Sequence, residues 1–144
     1  MSNSPKSIPL SRKLITTIVK KGTEFTEAIS QVVKEKDLTV QQFNVLRILR
    51  GRHGKPASLQ DVSKDMLHAN SNTTRVIDKL VTKDLAKRVQ SPKDRRQIEL
   101  TITDAGLELL KTLDGKVDQR ENELVMNLTG KDMNALIESL KGLE

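Results

Sequence analysis

Seven residues constrain this chain more than any others. Across 97–103, Ile98, Leu100 and Ile102 alternate with Gln97, Glu99 and Thr101, whereas apolar residues elsewhere recur mostly every three or four positions. Alternation marks a strand with one covered face, and a strand needs a partner for its backbone groups. The nearest partner is LAKRVQ at 85–90, joined to it through the breaker-rich SPKDRR. The spacing therefore predicts a mainly α fold interrupted by a small two-stranded β-hairpin.

The helices around that hairpin follow from periodicity and caps. Leu14, Ile18, Phe25, Ile29, Val32 and Val33 lie along one side of a long helix from about 11 to 35. Thr39 with Gln42 forms a capping box for a helix over about 40–51, which buries Phe43, Leu46 and Leu49 and stops at GRHGKP. Ser58 with Asp61 caps a short helix of roughly eight residues carrying Leu59, Val62 and Met66. HANSNTTRVIDKLVTKD then begins with cap-competent residues and turns Val76, Ile77, Leu80 and Val81 toward a core.

Two short helices meeting at a polar connection near 67–70 make a helix-turn-helix, whose second helix can enter a major groove about 12 Å wide. The hairpin that follows supplies a wing, with its tip at 91–96. Thr103 caps a further helix with Leu107, Leu110, Leu113, Val117, Leu124 and Val125, in which Gly106 and Gly115 weaken propensity. Thr129 with Asp132 caps a last helix carrying Met133, Leu136, Ile137 and Leu140. The terminal helices are too apolar to be idle flanks and are expected to form a dimerisation layer. This divides the chain into a lead and dimerisation helix (1–36), a winged helix-turn-helix (37–102) and C-terminal dimerisation helices (103–144).

Charge places the working face. The 144 residues hold 25 Lys and Arg against 19 Asp and Glu, a formal net charge of +6. That total leaves nucleic acid, an anionic membrane surface and plain solubility open. Its distribution is more selective: residues 75–97 hold eight basic and three acidic residues, while 103–144 hold five and nine. A molecule polarised in this way presents one side to phosphates.

Several function classes drop out. With no cysteine there is no thiol switch, thiolate catalysis or cysteine-ligated metal. Two Phe, no Tyr and no Trp leave little for unstacked bases to lie on. His53 and His68 are isolated, and no HExxH, phosphate loop or nucleophile elbow occurs, so neither a catalytic site, a metal site nor a cofactor is expected. No run approaches the roughly 18 apolar residues of a membrane span, and a cytoplasmic protein is the expectation. A non-enzymatic protein-binding adaptor or structural dimer is the alternative to DNA binding.

DLTVQQFNVLRIL, LQDVSKDM, NTTRVIDKLVTKDLAKR and SPKDRRQIELTITDAG, in that order, carry a known signature. Over about residues 10–141 the sequence resembles the MarR family of winged-helix transcriptional regulators. The resemblance implies a homodimer on double-stranded palindromic operator DNA, a repressor relieved by a small aromatic or phenolic effector held between the dimerisation layer and the winged region. Carried over by position, Ser71, Asn72 and Arg75 look like the exposed start of the recognition helix, with Thr73 and Thr74 as its polar pair. Arg75 has the donors for guanine and Asn72 the carboxamide for adenine.

Arg96 resembles the wing arginine of the minor groove, and Asp94 with Arg95 the pair bracing the loop by a salt bridge; the two arginines can exchange roles. Lys79, Lys83, Lys87, Arg88 and Lys93 read either as phosphate contacts or as solvated charges. One departure is local: Asp84 stands where the family usually has glycine, at a helix exit that favours a left-handed residue.

Overall fold

A computed structural model describes residues 6–67 and 72–144. Helix α1 (Leu10–Lys34) runs into α2 (Val40–Gly51), then a two-residue strand β1 (Ala57–Ser58), α3 (Leu59–Asp65), α4 (Thr73–Thr82), the strands β2 (Ala86–Gln90) and β3 (Ile98–Ile102), and the helices α5 (Asp104–Leu124) and α6 (Gly130–Lys141). The fold is a winged helix-turn-helix flanked by N- and C-terminal helices.

The caps read from the sequence set the helix starts. The side chains of Thr39, Ser58 and Thr129 each accept from the backbone N–H three residues on, and each residue donates its own N–H to the side chain of Gln42, Asp61 or Asp132 in return. Thr103 accepts from the Gly106 N–H at 3.1 Å and opens α5. At its exit α1 turns through Asp37 in the left-handed region (φ 58°), with the Leu38 N–H returning to the Val33 carbonyl.

The sheet has three strands, not two, in the order β1-β3-β2 and antiparallel throughout. Ala86 to Gln90 pair with Ile102 to Ile98, and β1 adds Ala57 opposite Leu100 and Ser58 opposite Glu99. A two-residue strand is too short to show alternation, and Ser58 was legible only as a cap. The alternation in β3 is also less complete than its pattern: Leu100 is buried and Ile102 half-buried, but Ile98 is exposed toward the wing tip.

The core is shared by α1 to α5 and the sheet, with Val33, Val45, Leu46, Val62, Leu80, Leu110 and Leu113 essentially inaccessible to solvent. Helix α2 lies at its centre, since Gln42 to Leu46 are all buried. By contrast α6 buries none of its residues and α1 only Ala28 and Val33. Leu14 and Phe25, read as part of a packed stripe, are exposed in the single chain, as are Leu10, Ile15, Val19, Leu136, Ile137 and Leu140. No described helix is long and apolar enough to cross a membrane.

Candidate nucleic-acid interface

The recognition helix α4 is positioned from both ends. At its start the Asn72 side chain accepts from the Arg75 N–H at 3.2 Å, capping the helix and fixing the backbone from which Arg75 projects. Its apolar side, Ile77 and Leu80, is buried, which turns Thr74, Arg75, Asp78 and Lys79 outward. At its exit Lys83 donates to the Asp37 carbonyl and lies 3.5 Å from the Gln42 side-chain oxygen. Asp84 then adopts φ 62°, while the Leu85 N–H reaches the Leu80 carbonyl at 3.0 Å. The position where the family favours glycine is thus left-handed, and aspartate takes it up.

The wing tip is held by its own backbone. The Ser91 N–H donates to the Gln97 carbonyl and the Gln97 N–H to the Asp94 carbonyl, both at 3.0 Å, and Ser91 is buried. Asp94 braces the loop differently from the salt bridge expected with Arg95: its carboxylate accepts from the Arg96 N–H at 3.0 Å, and among the described residues it makes no ion pair. A short aspartate two residues before an N–H closes a local turn more readily than it reaches a neighbouring guanidinium. The Gln90 side chain donates to the Arg95 carbonyl at 3.1 Å.

Helix and wing are joined. Arg88 on β2 forms an ion pair with Asp78 on α4, and a cavity of about 210 Å³ between them is lined by Leu59, Thr74, Ile77, Arg88, Ile98 and Leu100. On the other side of α4, Arg75 and Lys79 share a recess of about 200 Å³ with Thr39 and Gln41 at the start of α2. The sequence marks Thr39 only as a cap and Gln41 not at all, because nothing in a linear pattern shows that α2 begins beside α4.

Ion pairing sorts the basic residues. Arg50 forms a two-pronged pair with Asp114 at 2.8 and 3.0 Å, Arg52 lies 3.6 Å from Asp61, and Lys83 and Arg88 are engaged as above. These four hold elements together. Among the described residues Arg75, Lys79, Lys93, Arg95 and Arg96 make no ion pair and are exposed, as is Thr74. Thr73 is placed otherwise: at 9% exposure it has little surface to offer a duplex. Asn72 is exposed, but capping and adenine recognition compete for one carboxamide. Ser71 and most of the 67–70 connection lie outside the described residues.

Three carboxylates are held below their usual range away from this face. In Asp61 and Asp132 the first cause is the backbone N–H of the capping residue, Ser58 or Thr129; in Glu35 it is the hydrogen bond from Lys116, 2.9 Å away. A second cavity, of about 350 Å³, opens between α1, α2 and α5 with Phe25, Phe43, Asn44, Arg47, Leu67 and Glu121 in its wall. The Arg47 guanidinium sits 5.4 Å from the Phe43 ring centroid.

A groove-sized helix with an outward arginine, braced against an antiparallel wing that carries unpaired basic residues, defines a winged helix-turn-helix DNA-binding protein. Comparison with known proteins narrows the class. A sequence model of the MarR family matches residues 38–98. The multiple antibiotic resistance protein MarR of Escherichia coli is 31% identical over 136 residues, 93% of this chain and 90% of that protein. The HTH-type transcriptional regulator MhqR of Bacillus subtilis is 28% identical over 131 residues, 91% and 89% of the two chains. The crystal structure of wild-type Escherichia coli MarR in its apo form matches with a TM-score of 0.72 at 26% identity, covering 94% of this chain and 96% of that one. The chain belongs to the MarR family, and it is a DNA-binding transcriptional regulator rather than an enzyme.

Proposed function

We propose that the protein works as a homodimer on double-stranded palindromic operator DNA, as a repressor that a small aromatic or phenolic ligand releases. The carrying observation is the sorting of basic residues: those used to join elements are paired, while Arg75, Lys79, Lys93, Arg95 and Arg96 are exposed without ion pairs among the described residues. In this reading Arg75 donates to base edges, Asn72 and Thr74 meet bases or phosphates beside it, and Ser71 is assigned to the duplex by its place in the family motif. Arg95 and Arg96 place the wing in the adjacent minor groove, Asp94 shapes its tip, and Lys79 and Lys93 neutralise phosphates.

Dimerisation is assigned to 1–36 and 103–144. The exposed apolar residues of α1 and α6 support this, because a second copy would cover them and set two heads about one helical turn of DNA apart. The cavity between α1, α2 and α5 is assigned to the effector. It offers two phenylalanine rings, with Arg47 and Glu121 to orient a polar group.

Selection from random duplex DNA, followed by anisotropy titration of the enriched sequence, tests the assignment. A preferred palindrome is expected, with affinity falling steeply as salt rises and at least tenfold weaker binding by Arg75→Ala with Arg96→Ala. Failure to enrich any duplex would overturn the function, and an unchanged affinity of the double variant would overturn the residue roles. Release of the selected duplex by millimolar phenol tests the effector reading separately.

A further inference from the structure

Among the described residues, two buried polar side chains stand in α2, Gln42 at 3% exposure and Asn44 at 9%, one beside the exit of the recognition helix and the other beside the segment just past α3. Gln42 lies against Lys83 at the exit of α4. The Asn44 side-chain oxygen accepts from the Leu67 N–H at 2.9 Å, a bond across 23 residues of sequence, on the chain that leads into α4. Leu67 itself is 78% exposed, so its side chain does little to anchor this stretch. A carboxamide buried in a core helix carries a hydrogen-bonding demand that an apolar residue would not, and here its oxygen is satisfied by the backbone just past α3.

We propose that Asn44 is a positioning residue for DNA recognition: it fixes Leu67, five positions before the Asn72 cap in sequence, relative to the centre of the domain. This rests on the reading of α4 as the DNA-reading helix. Asn44 and Leu67 also line the cavity of about 350 Å³ between α1, α2 and α5. An occupant of that cavity meets both partners of the bond.

The test compares the full-length wild type with Asn44→Ala, Asn44→Leu, Asn44→Asp and Arg75→Ala. Duplex affinity is read by anisotropy, and amide hydrogen exchange at Leu67, Leu46 and Leu110 by NMR. Both Asn44→Ala and the volume-conserving Asn44→Leu are expected to bind the selected duplex roughly five- to tenfold more weakly and to exchange faster at Leu67. Leu46 and Leu110 should remain protected in at least one of them. Asn44→Asp, which keeps an acceptor, should restore protection at Leu67. Wild-type affinity in both acceptor-free variants while Arg75→Ala binds weakly would overturn the positioning role alone. Weakened binding with Leu67 exchange unchanged, or with Leu46 and Leu110 equally unprotected in both variants, would overturn it too. Wild-type affinity in Arg75→Ala would remove the underlying reading of α4 and the proposal with it.

Discussion

The Thr103 hydroxyl donates to the Asp84 carbonyl at 2.7 Å, tying the exit of the recognition helix to the cap of α5. The neighbouring Thr103 N–H reaches the Leu85 carbonyl at 3.1 Å. Both bonds need Asp84 in its left-handed conformation, which an L residue enters at a cost that glycine avoids. Asp84→Gly is therefore expected to stabilise the fold by up to about 1 kcal/mol, and Asp84→Val to destabilise it by at least as much. Thermal unfolding followed by circular dichroism checks this. The glycine variant should melt roughly 2–4 °C higher, and a lower melting temperature would contradict the argument.

Gly106 stands one turn into α5, where a Cβ would lie 2.4 Å from the Leu85 carbonyl oxygen and 2.7 Å from an Ile102 side-chain carbon. Backbone cannot yield as a flexible side chain does. Although alanine has the better helix propensity, Gly106→Ala should lower stability by roughly 1–3 kcal/mol, measured as a shift in urea midpoint. Gly115, whose added Cβ would meet nothing within 4 Å, is the control. Gly115→Ala should gain about 0.5–1 kcal/mol.

Lys79 in α4 and Lys83 at its C-cap lie one turn apart yet are predicted to act differently. Lys83 is bound to the Asp37 carbonyl and faces Gln42, so Lys83→Met should weaken DNA binding by misplacing α4, with the salt dependence of affinity unchanged. Lys79, with no ion pair among the described residues, should release a counterion on binding. Lys79→Met is expected to reduce the slope of log K against log salt by about 0.9. Equal slope changes in both variants would return Lys83 to the phosphate contacts.

The cap of α3 gives a pH signature. Asp61 accepts from the Ser58 N–H at 3.1 Å, and this bond, with Arg52 nearby, holds its carboxyl below the usual aspartate range. A carboxyl lowered in the folded state stabilises it above the unfolded pKa of about 3.9, and the contribution is lost as pH falls through the folded value. Wild type should therefore exceed Asp61→Asn in urea midpoint at pH 6.5, and the gap should shrink as pH falls below the unfolded aspartate value of about 3.9. A gap that widens in acid would reverse the sign and refute the linkage.

Much of this architecture was readable because its signals are local. Thr39, Ser58, Thr103 and Thr129 announce helix starts within three residues, and the period change at 97–103 announces the wing. What was not readable depends on distant partners. The Asn44–Leu67 bond, the Arg88–Asp78 pair and the strand at Ala57 join residues whose neighbourhood only the folded chain creates. In the sequence Gly106 looks only like a weak helix residue, because the Leu85 carbonyl that requires it lies 21 positions away. Thr73 and Thr74 look alike in the sequence because adjacency hides the roughly 100° by which a helix turns between them.

The exposed apolar side of α6 yields the last prediction. Leu136, Ile137 and Leu140 keep nearly half their surface in water in the single chain, and α6 buries none of its residues. Covering the remaining half of one such side chain in a dimer is worth roughly 0.7–1.5 kcal/mol, so placing lysine at two of them forfeits that gain and sets charges against an apolar partner. Leu136→Lys with Leu140→Lys should sediment as a monomer of about 16.1 kDa at micromolar concentration. Its winged region should keep its fold, because the buried core is drawn from α1 to α5 and the sheet. Affinity for a two-half-site duplex should nevertheless drop about 10²-fold or more, since two linked heads bind the second half-site intramolecularly and two separate heads do not. On a single half-site, wild type and variant should bind alike. A variant that remained dimeric and tight would show that α6 is not needed to hold the two copies together.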